Sequence, residues 1–184
     1  MYEESKCKEN GSLLGKLFAL VNDCREEQRH LCSGSIFTID SVNSLLIAGA
    51  VEDILKDGLV GNRAVKSNFR SVLEALSKAY PLQMAASLES ADELASSLGR
   101  HDAYFVTQIW ILQALRDGSL ADALGKLRRQ PHIHSAYSPG SLLRQPAARE
   151  RLAEAVSILK GASFAPLAQA AEARSLAEAP GPAP

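Results

Sequence analysis

The chain has 184 residues, of which 46% are hydrophobic and 5% aromatic, and its net charge at pH 7 is −1. This length is typical of one domain with a single hydrophobic core. The near-neutral charge offers no attraction to nucleic acid, so we expect no nucleic-acid partner. We also expect no membrane insertion, because uncharged apolar segments such as residues 41–51 are shorter than the roughly 20 residues that span a bilayer.

The N-terminal residues and the cysteines both indicate a cytoplasmic protein. Residues 1–10 are charged and lack the apolar stretch of a signal peptide. The cysteines, Cys7, Cys24 and Cys32, form an odd set without the spacing of a disulfide framework. We therefore expect reduced thiols, as in other cytosolic proteins.

The spacing of leucine and alanine predicts a series of helices along the chain. The first begins at Ser12, and we expect residues 1–11 before it to be flexible. Asp40 is suited to precede the second helix, because its carboxylate can accept backbone N–H groups of the first turn. That helix is predicted to end at Asp57 and Gly58, where glycine can adopt the left-handed conformation.

Further helices are predicted in the middle of the chain, over residues 61–80, 87–98, 102–117 and 119–129. The first of these ends before Pro81, because proline disfavours helix at the residue before it. The helix that starts at Asp102 carries no charge in its interior before Arg116. We therefore expect it at the centre of a bundle.

The C-terminal part is predicted to contain a short helical turn at Leu142 and Leu143 and a longer helix that ends at Gly161. The tail at residues 179–184 is rich in proline and is not expected to join a core. Sustained alternation of period two is absent, so we expect no strand. We predict an all-α, compact bundle of about eight helices that forms one domain over residues 12–178.

Patterns typical of nucleotide or acid–base sites are weak in this sequence. Residues 61–67 resemble a phosphate-binding loop, but Val65 stands where the backbone needs glycine to wrap the phosphates. Neighbouring acids such as Glu52 and Asp53 point about 100° apart on a helix and do not converge on one substrate atom. We therefore expect no catalytic residues and no cofactor.

Metal-ligand residue types also occur without the spacing of a metal site. His132 and His134 form a pair that has no third ligand close by in the sequence. The residues Cys24, His30 and Cys32 match no common zinc module. We expect no metal.

Basic residues close the helix over 119–129 and continue after it. We interpret a set of them as a docking surface for an acidic protein partner: Lys126, Arg128, Arg129, Arg144 and Arg149. Cations near a helix C-terminus are also favoured by the helix dipole, which explains the residues that end this helix without any partner. Both interpretations stay open.

Blocks of residues in a characteristic order run from position 40 to position 164. An early block reads AVEDILKDGL over residues 50–59, and the later matching residues are Trp110, Ala114, Leu115, Leu120, Tyr137, Leu142, Leu143, Leu159 and Phe164. This order resembles the RUN domain family. The early block departs from the family at Asp57, where histidine is frequent, and at Val60, where lysine is frequent.

The resemblance implies a helical module of adaptor proteins that binds partners through its surface, without catalysis and without a cofactor. It links the chain to small GTPases of the Rap and Rab groups, to vesicle and endosome traffic and to the cytoskeleton. We therefore expect a protein partner, first of all a Rap- or Rab-type small GTPase, and recruitment of a cytoplasmic protein to vesicles or endosomes. The alternative is a self-associating scaffold module, which would form a homodimer.

Overall fold

The computed structural model describes residues 2–29 and 38–178, with side chains described over 13–26 and 38–172. Helices dominate these ranges, and the all-α prediction is confirmed. The α-helices are α1 Tyr2–Arg29, α2 Ser41–Lys56, α3 Phe69–Ala79, α4 Ala86–Ser97, α5 Ala103–Asp117, α6 Leu120–Arg129, α7 Pro131–His134, α8 Pro146–Leu159 and α9 Ala165–Glu178. A π-helical turn, Pro81–Ala85, precedes α4, and a 3-10 turn, Leu142–Arg144, precedes α8. None of the helices in these ranges has the length and apolarity needed to cross a bilayer.

Helix α5 lies at the centre of the bundle, as its uncharged sequence predicts. The side chains of Ile109, Ile111, Leu112 and Leu115 are completely buried. Helices α2, α3, α4, α8 and α9 all contact α5. Burial of apolar side chains around this helix removes them from water and stabilises the fold.

Polar and glycine residues at several helix ends adopt the predicted roles. Asp40 and Asp102 each accept backbone N–H groups from the first turn of the helix that follows, α2 and α5 respectively. Gly58 and Gly118, after the same two helices, adopt the left-handed conformation with φ of 67° and 71°. These ends were predictable because each depends on one residue type and its immediate neighbours.

The third helix begins later than predicted, at Phe69 rather than at residue 61. Asn62 folds the preceding segment into a turn, because its Oδ1 accepts the N–H groups of Ala64 and Val65 at 2.8 and 3.0 Å. Asn68 then caps the first turn of α3. Asparagine side chains that bind nearby backbone groups compete with helix formation, which explains the later start.

Other helix bounds and a short strand pairing also differ from the predictions. Helix α1 begins at Tyr2 rather than Ser12, and the helices α7 and α9 were not predicted. A two-residue parallel pairing joins β1, Thr38–Ile39, to β2, Ser163–Phe164, where we expected no strand. A pairing this short leaves no alternation in the sequence, and polar or alanine-rich helices offer no leucine spacing.

The predicted division of the chain stays a prediction. Residue 1 and the tail at residues 179–184 lie outside the described residues. Residues 2–11 belong to α1, but their side chains are not described. The boundaries of the domain over residues 12–178 are therefore an expectation from the sequence alone.

A close contact connects the turn after α2, residues 57–61, to the segment after α7, residues 136–142. We call it the α2–α7 joint. The N–H of Ser138 donates to the carbonyl of Gly58 at 2.7 Å, and N–H groups of the turn donate to the segment in return. A Cβ atom at Gly58 would lie 2.5 Å from Ser138 Oγ, so the joint requires glycine at this position.

Two side chains complete the α2–α7 joint. Asp57 Oδ2 accepts the backbone N–H of Leu142 at 2.7 Å. Tyr137, which is 1% exposed, donates its hydroxyl to the carbonyl of Leu55 at 3.0 Å. Burial raises the pKa of Tyr137, so the hydroxyl stays protonated and remains a donor.

We expect Tyr137→Phe to lower the free energy of unfolding by about 1–2 kcal/mol, because the buried carbonyl of Leu55 loses its donor. Chemical denaturation followed by circular dichroism measures the change. Tyr104→Phe is the matched control, since Tyr104 is 53% exposed. Its substitution should change the free energy of unfolding by no more than about 0.5 kcal/mol. Equal effects of the two substitutions would contradict the structural role of the Tyr137 hydroxyl.

Candidate protein-interaction surface

The charges of three arginines from different elements act on His134, at the end of α7. Arg128 comes from the last turn of α6, Arg144 from the 3-10 turn and Arg149 from the first turn of α8. Burial lowers the pKa of His134, and the positive charges of the three arginines lower it further. We call Arg128, His134, Arg144 and Arg149 the arginine cluster.

Backbone carbonyls hold two of these arginines in place. Arg144 Nη1 donates to the carbonyl of Tyr137 at 3.0 Å, and Arg149 Nη1 donates to the carbonyl of Leu143 at 3.0 Å. A guanidinium has five N–H groups, so most donors of each arginine remain for a partner. None of the cluster arginines forms an ion pair with another described residue.

Lys126 and Arg129 also lie on α6, but they line a pocket that contains none of the arginine cluster. Lys126 Nζ pairs with Asp122, lies 5.9 Å from the ring centroid of Tyr80, and belongs to a side chain that is 12% exposed. Arg129 is exposed and lines the same pocket, to which Trp110 also contributes. The sequence-predicted set is therefore divided between two places in the structure.

His134 belongs to the arginine cluster, whereas its spacing from His132 in the sequence suggested only a pair of metal ligands. The prediction left α7 out, and His134 meets Arg144 and Arg149 only through the tertiary fold. Pro131 was the available signal, since proline is favoured at the first position of a helix. Among the described residues, no group of three or more His, Cys, Asp or Glu side chains could hold a metal ion. Cys7, His30 and Cys32 lie outside the described side chains.

An apolar groove of about 510 Å³ lies between α1 and α2. Leu46, which is 50% exposed, and Tyr104, which is 53% exposed, contribute to its lining. The other lining residues are Leu13, Lys16, Ala19, Leu20, Asp23, Leu45, Gly49, Ala50 and Asp53. Exposed apolar residues that line one groove are a common feature of interaction sites.

A family model for the RUN domain matches residues 46–166. The chain belongs to the RUN domain family. The match extends from α2 to the start of α9 and includes both the α2–α7 joint and the arginine cluster. RUN domains are protein-interaction domains linked to small GTPases and are generally non-catalytic. Comparison with curated proteins gave no match.

We expect Arg144→Gln to raise the pKa of His134, because removing a nearby positive charge stabilises the imidazolium. Arg128→Gln should raise this pKa by a smaller amount, since its charge contributes less. A pH titration of the His134 ring signals by NMR measures both changes. Arg129→Gln is the control, because Arg129 is adjacent to Arg128 but lines the pocket with Lys126. A His134 pKa that responds to Arg129→Gln alone would contradict the arrangement of the cluster.

Proposed function

We propose that this RUN domain is a non-catalytic adaptor module that binds a small GTPase of the Rap or Rab group through the arginine cluster. The single observation that supports this surface is the set of arginines that lack an ion pair in the described part of the chain. The family supports the class of partner. Through that partner the domain would be recruited from the cytoplasm to vesicles or endosomes.

The geometry of the arginine cluster suits an acidic protein surface. Arginine binds carboxylates through two parallel hydrogen bonds, which lysine cannot reproduce. Because Arg144 and Arg149 are already bonded to backbone carbonyls, binding costs less side-chain entropy than it would for free surface arginines. Complementary charges would also speed association with an acidic partner.

Asp57 supports placing the partner surface at the cluster rather than at the turn after α2. The family often has histidine at this position, and a carboxylate would repel an acidic partner. In this chain the Asp57 carboxylate accepts the N–H of Leu142 within the domain. The arginine cluster supplies positive charge on the segment that this contact holds.

Charge reversal at Arg128 tests the surface. We expect Arg128→Glu to reduce recovery of the GTP-loaded partner by about tenfold or more in a pull-down with a panel of Rap and Rab proteins, because a cation becomes a repelling anion. Arg129→Glu is the matched control, since it changes the adjacent exposed residue outside the cluster. Arg25→Glu on α1 controls for total charge.

The outcomes of this pull-down separate the partner from the surface. If the wild-type domain recovers no GTPase in either nucleotide state, the proposed class of partner is wrong. Loss of recovery with Arg129→Glu but not Arg128→Glu would instead move the surface to the pocket that Lys126 and Arg129 line.

A second candidate function is self-association through the α1–α2 groove. The specific observation is the exposure of Leu46 and Tyr104 within one apolar lining. The lining of the groove carries both signs of charge. Lys16 is positive, and Asp23 and Asp53 are negative. Two copies related by a two-fold axis could therefore pair unlike charges across the contact.

We expect the wild-type domain to show a concentration-dependent dimer in light scattering after gel filtration, and Leu46→Glu to shift it to the monomer. The physical reason is that the substitution places a charge in an apolar contact. Leu82→Glu is the matched control, because Leu82 is 93% exposed and lies outside the groove. A wild-type monomer at all concentrations would leave self-association without support.

A further inference from the structure

A polar pocket of about 750 Å³ lies between α3, the loop before it and α7. This volume is large enough for a small molecule. The charged and titratable residues that line it are Arg63, Lys66, Glu74, Lys78 and His132. None of these residues belongs to the arginine cluster. Although His132 is close to His134 in the sequence, residues two positions apart on a helix point about 200° apart.

The loop before α3 places two of the cations in defined positions. Asn62 Nδ2 donates to the carbonyl of His132 at 2.6 Å, while Asn62 Oδ1 closes the turn that delays α3. Val65, which is 1% exposed, anchors the loop in the core. Arg63 and Lys66 therefore line the pocket from a backbone that is held by contacts within the domain.

Positive charge in this pocket exceeds negative charge. Arg63, Lys66 and Lys78 form no ion pair with any described residue. Glu74 Oε1 accepts from Arg70 Nε at 3.1 Å, which leaves Oε2 as an acceptor. Cations around a cleft attract anions, and they do so more strongly than the same charges on a flat surface.

The uncharged lining indicates the class of anion. No Phe, Tyr or Trp that the structure describes lines the pocket, so a nucleotide base would lack an aromatic ring of these types on which to stack. Ala64, Ala75 and Ala79 present only small apolar surfaces. Gln130 and Glu74 supply oxygen atoms that can accept hydrogen bonds from hydroxyl groups. A compact ring that carries both phosphates and hydroxyls fits this combination better than a nucleotide.

We propose that this pocket binds an inositol polyphosphate group, either free or as the headgroup of a membrane lipid. Arg63, Lys66 and Lys78 bind the phosphates, and Gln130 and Glu74 bind the ring hydroxyls. The segment at residues 61–67, which resembles a phosphate-binding loop in sequence, thus contributes cations on a turn. It lacks the glycine-rich backbone that wraps phosphates in a nucleotide-binding loop. This site is independent of the proposed GTPase function, because it uses other residues.

Calorimetric titration of the whole chain with inositol trisphosphate tests the pocket. We expect saturable binding, and we expect Lys66→Gln/Lys78→Gln to weaken it about tenfold or more, because two charge-assisted contacts are lost. Arg25→Gln/Arg151→Gln is the control with the same change in net charge, because both residues are exposed and neither lines the pocket. Its affinity should stay within about twofold of the wild type, since distant sites act independently.

Vesicle sedimentation distinguishes the two sources of the ligand. Phosphatidylcholine vesicles containing phosphatidylinositol bisphosphate are compared with vesicles in which phosphatidylserine supplies the same charge. A preference for the inositol lipid, abolished by free inositol trisphosphate, indicates the lipid headgroup. Calorimetric binding without sedimentation indicates the free ligand. Each of these outcomes supports the pocket.

Other outcomes would overturn the proposal. These are an absence of heat with inositol trisphosphate, tighter binding of ATP, or equal weakening in the control variant. Amide NMR spectra of the wild type give a check that needs no variant, because shifts on addition of inositol trisphosphate should centre on Asn62, Lys66 and His132. Lys66→Gln/Lys78→Gln should recover the GTPase partner like the wild type, so failure of either proposal leaves the other testable.

Discussion

The arginine cluster and the polar pocket depend on the close approach of two backbones at the α2–α7 joint. Gly58 makes this approach feasible, since it holds a φ of 67° and a side chain there would collide with Ser138. The hydroxyl of Tyr137 adds a bond to a carbonyl 82 residues earlier in the chain. A few short hydrogen bonds therefore connect the early helices to the segment that precedes α8 and carries Arg144.

The position of the arginine cluster follows from this joint. Arg144 donates to the carbonyl of Tyr137, so one guanidinium is bonded to the joint itself. The 3-10 turn that carries Arg144 begins at Leu142, whose N–H is held by Asp57. On the other side of α7, Asn62 donates to the carbonyl of His132 and fixes the loop of the polar pocket. The short helix α7 is thus held from two directions, and each contact positions a different set of cations.

Much of the fold was predictable from local residue chemistry. Asp40 marks a helix start through its side chain, and Gly118 marks a helix end through its backbone freedom. The lack of charge within α5 predicted its central position in the bundle. The start of α3 was not predictable in this way, because Asn62 and Asn68 are both residue types that cap helices, and in the structure Asn62 closes a turn with Ala64 and Val65 instead. The pairing of β1 with β2 is a tertiary contact that leaves no mark on the sequence around it.

The candidate site was predictable as a composition but not as a geometry. The sequence shows that Arg128 and Arg129 are adjacent, yet one acts on His134 and the other lines the pocket of Lys126. That division depends on the path of the chain after α6, where residue spacing gives no information. The role of Asp57 was also not predictable from the sequence. In the sequence, Asp57 stands where histidine is frequent in the family, which suggests the loss of a basic contact with a partner. In the structure its carboxylate accepts the backbone N–H of Leu142. The charge that departs from the family pattern therefore stabilises the segment on which the remaining cations are displayed.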